Sequence, residues 1–159
     1  MKYLISFLFL ALAFSMKSEA KVTLPSILGD NMVLQQQAEV KLWGKARPNA
    51  TVTVKTSWNG QTYKSSSDGK GGWSLTVSTP VAGGPYKITF NDGELLTLQN
   101  VLIGEVWFCS GQSNMEFYLN WSATAAQDVP QAANSNIRLY DMKARWRTDA
   151  VEWDACRIV

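Results

Sequence analysis

From Val22 to about Leu98, apolar and polar residues alternate in short runs. The runs are Val40–Trp43, Thr51–Lys55, Trp73–Val77, Tyr86–Phe90 and Leu95–Leu98. Alternation with period two marks half-buried strands, and these runs are rich in the Thr, Val, Ile and aromatic residues that strands favour. Turn chemistry separates them: Gly29-Asp30-Asn31, Arg47-Pro48-Asn49, Trp58-Asn59-Gly60, Asp68-Gly69-Lys70-Gly71-Gly72, Gly83-Gly84-Pro85 and Asn91-Asp92-Gly93. Each offers proline or a residue that tolerates positive φ, and Asn59-Gly60 and Asp92-Gly93 suit tight hairpins. Short strands with turns about every 8–12 residues predict a small all-β sandwich.

The texture changes near Asn100. Val101-Leu102-Ile103 is continuously apolar, and Val106-Trp107-Phe108-Cys109 has the pattern of a strand buried on both faces, as in a parallel sheet. The small polar run Ser110–Asn114 follows. A helix is expected to begin between Met115 and Leu119, Ala123–Ala133 is helix-compatible around Pro130, and Ile137–Tyr140 reads as a short strand. The expected organisation is therefore a sandwich over residues 21–100 and a different region over 101–159. About 60 residues are marginal for an independent core. Together with the apolar end at Ile158-Val159, this predicts that the second region is a truncated domain.

Residues 1–20 change this picture at the front. Lys2 precedes an almost unbroken apolar run, Tyr3–Phe14, which is too short to span a bilayer, and Ser18-Glu19-Ala20 has small residues where a signal peptidase needs them. A cleaved signal peptide is expected, hence an extracytoplasmic protein, periplasmic or secreted, with no membrane attachment after cleavage. The uncleaved anchor is the rival reading. Cleavage leaves 139 of the 159 residues, with 13 basic and 12 acidic side chains. Near-neutrality argues against nucleic acid as a partner, since such binders concentrate positive charge on one face. Arg138, Lys143, Arg145 and Arg147 read as a solvated surface stretch. Cys109 and Cys156 are free to pair in an exported protein, but Cys109 lies in an apolar run where a buried free thiol is expected.

The chain contains no histidine. A proton shuttle of the Ser–His kind must then come from elsewhere. Ser113 is the candidate nucleophile: a strand, a tight small-residue turn and a helix would lift its hydroxyl to the carboxyl edge of a sheet, where α/β folds gather ligands. Free N–H groups at such a helix start suit a developing oxyanion. The same Ser-Gly-Gln-Ser-Asn composition also fits an ordinary loop or a helix cap. Glu105 and Glu116 flank the turn as possible catalytic carboxylates, without a paired spacing. The 68–72 loop lacks P-loop spacing and reads as a hairpin loop. Trp43 and Trp73 fall inside alternating strands and are assigned to the core, and Trp58, beside a turn, is the better exposed platform for a sugar ring. No Cys/His cluster points to a metal, and no cofactor is expected.

Cys109-Ser110-Gly111-Gln112-Ser113-Asn114-Met115, preceded by Gly104-Glu105-Val106-Trp107, resembles the nucleophile block of the sialate O-acetylesterase family, which belongs to the SGNH (GDSL-like) hydrolases. Leu24-Pro25 and Gly29-Asp30-Asn31-Met32-Val33-Leu34-Gln35 resemble its opening motif. Trp43–Asn49, Gly72-Trp73, Ala82–Tyr86 and Asn136–Tyr140 resemble later landmarks in order. The resemblance implies an N-terminal β-sandwich followed by the start of a flavodoxin-like α/β hydrolase domain. It implies hydrolysis of O-acetyl esters on sialic acids or related sugars through an acyl-enzyme, with Ser113 as nucleophile and its backbone N–H in the oxyanion hole. The family's remaining oxyanion donors and its acid–base histidine and aspartate belong to later blocks that this sequence lacks. The chain alone is therefore expected to be inactive or nearly so. Two other readings stand beside this one: a non-catalytic sandwich that binds glycan or packs against a partner, and an esterase of acetylated xylan.

Overall fold

The computed structural model describes residues 21–140. The expected signal peptide, Cys156, the basic residues Lys143, Arg145 and Arg147, and the stretch from Trp153 to Val159 lie outside the described residues.

Seven strands form: β1 Val33–Gln35, β2 Glu39–Lys45, β3 Thr51–Thr56, β4 Thr62–Ser66, β5 Gly72–Ser78, β6 Gly83–Asn91 and β7 Leu95–Gly104. Five of them make one sheet in the order β1-β7-β6-β3-β4, and β2 pairs with β5 in a second, two-stranded sheet. All pairings are antiparallel except β1 with β7, which is parallel. All five predicted strand runs are found. The hairpin turns at Asn59-Gly60 and Asp92-Gly93 are found too, with Gly60 at φ 68° and Gly93 at φ 122°, values that glycine reaches without a Cβ clash.

The alternation reads directly as burial. In β3, Val52, Val54 and Thr56 are fully buried, while Thr51 and Lys55 are exposed. Phe90 and Ile88 on β6, Leu42 on β2 and Val77 on β5 meet them in one apolar core that also takes in Leu28, Met32 and Leu34. Thr56 keeps its hydroxyl satisfied by donating to Asn59 Oδ1 at 2.6 Å, which a buried hydroxyl requires.

Several expectations are corrected. Trp73 is buried, but Trp43 is 40% exposed. Leu42 takes the inward phase of β2, so its neighbour Trp43 must point outward. Across the strand pair Trp73 sits opposite Gly44. Trp58 is half-buried rather than an open platform: its indole N–H donates to Ser78 O at 3.0 Å and its ring meets Tyr86 edge-on. Gly83-Gly84-Pro85 does not turn the chain but lies within β6, where the register with β7 shifts. The 68–72 loop joins strands of different sheets, not two paired strands. Asp68 Oδ1 holds it by accepting from the Lys70 and Gly72 amides, each at 2.8 Å. These two N–H donors, Gly72 foremost, lower the Asp68 carboxyl below its ordinary value of 3.8.

The change of texture at Asn100 has a local cause. β7 continues through it to Gly104, and Val101 and Ile103 are buried in the same core as Leu98. Asn100 is left-handed, at φ 55°. That single residue shifts the alternation by one place, so that positions 98 and 101 both face inward. The expected boundary at 100 therefore falls within a strand.

Candidate active site

Beyond Gly104 the chain leaves the sheet. Val106–Cys109, expected as a doubly buried strand, forms no strand. Trp107 is 83% and Phe108 81% exposed, and Cys109 is an exposed free thiol. A strand buried on both faces needs a neighbour on either side. Among the described residues, β7 already has both of its neighbours and none pairs with 106–109.

Ser113 opens a single 3-10 turn, Ser113–Glu116, not the longer helix expected there. Gln112 precedes it in extended conformation, and the Met115 N–H bonds back to Gln112 O at 2.9 Å. A Cβ at Gly111 would sit 2.9 Å from Met115 Cγ, so the Met115 side chain would have to move to admit one. Ser113 is exposed, and its hydroxyl makes no hydrogen bond among the described residues. A second 3-10 turn spans Leu119–Trp121, and a one-turn helix, α1, spans Ala125–Asp128 before another 3-10 turn at Val129–Gln131 that contains Pro130. Ile137–Tyr140 is not a strand.

The two flanking acidic residues lie on different segments. Glu116 ends the Ser113 turn. Glu105 enters a small polar lock. It accepts from Gln36 Nε2 at 2.6 Å and from Gln35 Nε2 at 3.1 Å. The two amide donors, Gln36 foremost, hold its carboxyl below the usual range, so it stays ionised at neutral pH and is a poor general base. The chain has no histidine, and the Ser113 hydroxyl has no hydrogen-bonded proton acceptor among the described residues. No group of three or more His, Cys, Asp or Glu residues is placed to hold a metal among the described residues, and no helix among them is long and apolar enough to cross a membrane.

Around Ser113 the surface is apolar and open. Phe117, Tyr118 and Trp121 are each about 60% exposed. Their rings pack edge-on, Tyr118 to Trp121 at 4.8 Å and Phe117 to Trp121 at 6.1 Å. A recess of about 480 Å³ lies elsewhere, on the sheet region, lined by Arg47, Pro48, Asn49, Ala50, Thr51, Asp92 and Gly93. None of these residues belongs to the Ser113 segment. The hydrogen bonds of Gln35 and Gln36 to the entrance of that segment were not read from the sequence. Nothing in the sequence signals them, because they depend on the parallel register of β1 and β7.

No family model matches the chain. Its fold is similar to the crystal structure of a carbohydrate acetylesterase from Xanthomonas citri, with a TM-score of 0.77 and 30% identity, over 86% of this chain and 32% of that one. The likeness is thus to part of a carbohydrate acetylesterase. Over 128 residues the sequence is also 30% identical to human sialate O-acetylesterase (72% of this chain, 24% of the relative) and 29% identical to the mouse enzyme (74% and 24%). The chain is a relative of the sialate O-acetylesterase family, as its motifs indicated, and it spans about a quarter of the length of the curated relatives it matches.

Proposed function

We propose that this chain carries the nucleophile of a carbohydrate O-acetylesterase acting on O-acetylated sialic acids or related sugars. The observation that carries this reading is the Gly104–Met115 block. It presents an exposed Ser113 at the start of a 3-10 turn, in a chain whose relatives are acetylesterases. In the proposed reaction Ser113 Oγ adds to the acetyl carbonyl, and its proton passes to a base outside this sequence. The sugar hydroxyl leaves, and water then releases acetate from the acyl-serine. The Ser113 backbone N–H serves the oxyanion. Export by residues 1–20 belongs to the same reading and gives the enzyme access to extracytoplasmic glycans.

The test compares the 159-residue chain, the protein extended to the length of its relatives, and Ser113→Ala in each. The substrates are a chromogenic acetyl ester, O-acetylated sialic acid and acetylated xylan. The expected result is turnover by the extended protein alone, abolished by Ser113→Ala, with sialate the better sugar substrate. Preference for xylan would move the substrate assignment. Extended protein that binds glycan without turnover would leave the non-catalytic module in place of the enzyme.

A further inference from the structure

The opening motif and the nucleophile block, some 70 residues apart, lie side by side. Asp30 Oδ1 accepts from the Gln99 N–H at 2.7 Å, and Asn31 Oδ1 accepts from Asn100 Nδ2 at 2.8 Å. β1 then runs parallel to the end of β7, with Val33 opposite Leu102 and Gln35 opposite Gly104. Where the ladder stops, side chains continue it. The Gln36 N–H reaches Gly104 O at 2.8 Å, the two glutamine amides hold Glu105, and Gln35 Oε1 accepts from the Val106 N–H at 2.9 Å. Gln36 Oε1 is anchored in turn by the Ala82 N–H at 2.8 Å.

The same stretch meets the chain again on its return. Arg138 Nη1 donates to Met32 O at 3.2 Å and also to Asn100 O, while its Nη2 donates to Asn100 Oδ1 at 3.0 Å. The Ser26 and Tyr140 hydroxyls are 3.0 Å apart. Between these two points residues 107–137 have few buried side chains, so the segment has little core of its own to set its position.

We propose that residues 26–36 are a two-point clamp that positions the Ser113 segment, with Gln35 and Gln36 fixing its entry at Glu105–Val106 and Ser26 and Met32 fixing its exit at Tyr140 and Arg138. Gln35 is the central positioning residue, since it alone bonds both the carboxylate and the following amide. The catalytic consequence, though not the clamp itself, rests on the esterase reading.

A polarity swap tests this. Gln35→Glu places two carboxylates against each other and opens the entry, and Gln35→Leu removes both bonds. In the double variant Gln35→Glu/Glu105→Gln the bonds re-form with the donor and acceptor exchanged. The new amide at position 105 donates to the new carboxylate at position 35, that carboxylate still accepts from the Val106 N–H, and Gln36 still donates to position 105. Hydrogen exchange on the 159-residue chain is expected to quicken about tenfold at the Val106 amide in each single Gln35 variant, the loss of about one hydrogen bond. It returns to the wild-type rate in the swap, with Val54 on β3 unchanged throughout. In the extended protein the single variants lower kcat with little change in KM, and the swap restores it. Unchanged exchange at Val106 in Gln35→Leu, or a swap that rescues neither exchange nor kcat, overturns the clamp. Rescue of exchange in a protein without any acetylesterase activity upholds the clamp and removes the esterase reading.

Discussion

Replacing Gly44 by alanine perturbs one atom at a place where the fold leaves no room. A Cβ on Gly44 would lie 2.3 Å from Thr23 O, a backbone atom that cannot rotate away. Thr23 is held there by a reciprocal pair of bonds with Lys45, N to O at 2.8 Å and O to N at 2.9 Å. To admit the methyl group the 22–24 segment must lift off β2. That forfeits two backbone hydrogen bonds, each about 0.5–1.5 kcal/mol net. It also withdraws Val22, only 1% exposed, from the core, at about 1.5–3 kcal/mol if the side chain is fully released. The combined loss is about 2.5–6 kcal/mol, a large part of the about 5–15 kcal/mol that holds a domain together. For a domain of this size each kcal/mol moves the melting point by about 4–8 °C, so a fall of at least about 10 °C is expected. Thermal unfolding followed by tryptophan fluorescence measures it, because Trp73 lies in the core beside Phe90. The matched control is Gly104→Ala, at the end of β7, whose added methyl meets only Val33 Cγ1, at 3.8 Å. It should shift the melting point little. Equal melting points for the two variants would refute the argument that close backbone approach, rather than strand flexibility, fixes glycine at 44.

Asp68 makes the linking loop pH-sensitive. Its folded pKa is depressed below 3.8 by the Gly72 and Lys70 amides, so its stabilising contribution is present above the unfolded pKa and lost as pH falls through the lower folded value. Urea midpoints of wild type and Asp68→Asn should therefore differ near neutrality and converge as pH drops below that window; a constant gap would contradict the assignment. Brief chymotrypsin treatment should cut first at Trp107 or Phe108, which are exposed and outside any strand, and leave the sheet region intact. Mass spectrometry showing a first cut near Asn100 would mean that the end of β7 is not part of the folded core. Cys109 is exposed, so in the 159-residue chain carrying Cys156→Ser its single thiol should react with a disulfide reagent about as fast as in urea; slow reaction in the native chain would contradict that exposure.

The sheet region was legible because its information is local. Each recovered strand carries two or three inward apolar residues and a turn on either side, as with Val52 and Val54 between Asn49 and Gly60. β4 was missed because Thr62–Ser66 has only Tyr63 to alternate with. It lies at the sheet's edge, where a short polar strand is the usual protection against edge-to-edge pairing. β1 was missed for another reason: three residues are too few to show a period, and its partner is more than 60 residues away. Trp43 was misplaced because hydrophobicity identifies a strand without fixing its phase. One residue of phase separates it from Leu42, and only the pairing of β2 with β5 decides which faces inward.

The Ser113 turn was legible in the sequence and the elements expected on either side of it were not, for one physical reason. Its motif is a tight turn, and tight turns are specified by their own residues: Gly111 lies against the Met115 side chain, and the Met115 N–H closes on Gln112 O within the same few residues. The strand and helix expected on either side are specified by partners. Val106–Cys109 has a sequence that forms a strand only when strands pair along its edges and other layers cover both faces, and Met115–Leu119 has one that extends as a helix only against a surface that takes up its apolar side. Among the described residues those surfaces are absent, and the same side chains, Trp107, Phe108, Phe117 and Trp121, stand in solvent. The segment's placement therefore comes from outside itself, through the Gln35–Glu105 and Met32–Arg138 contacts at its two ends. Neither contact carries a sequence signature of its own. Glutamine beside glutamine in Gln35-Gln36-Gln37 reads as solvent-facing polarity, and what makes it a lock is the parallel register that brings Gly104 opposite Gln35.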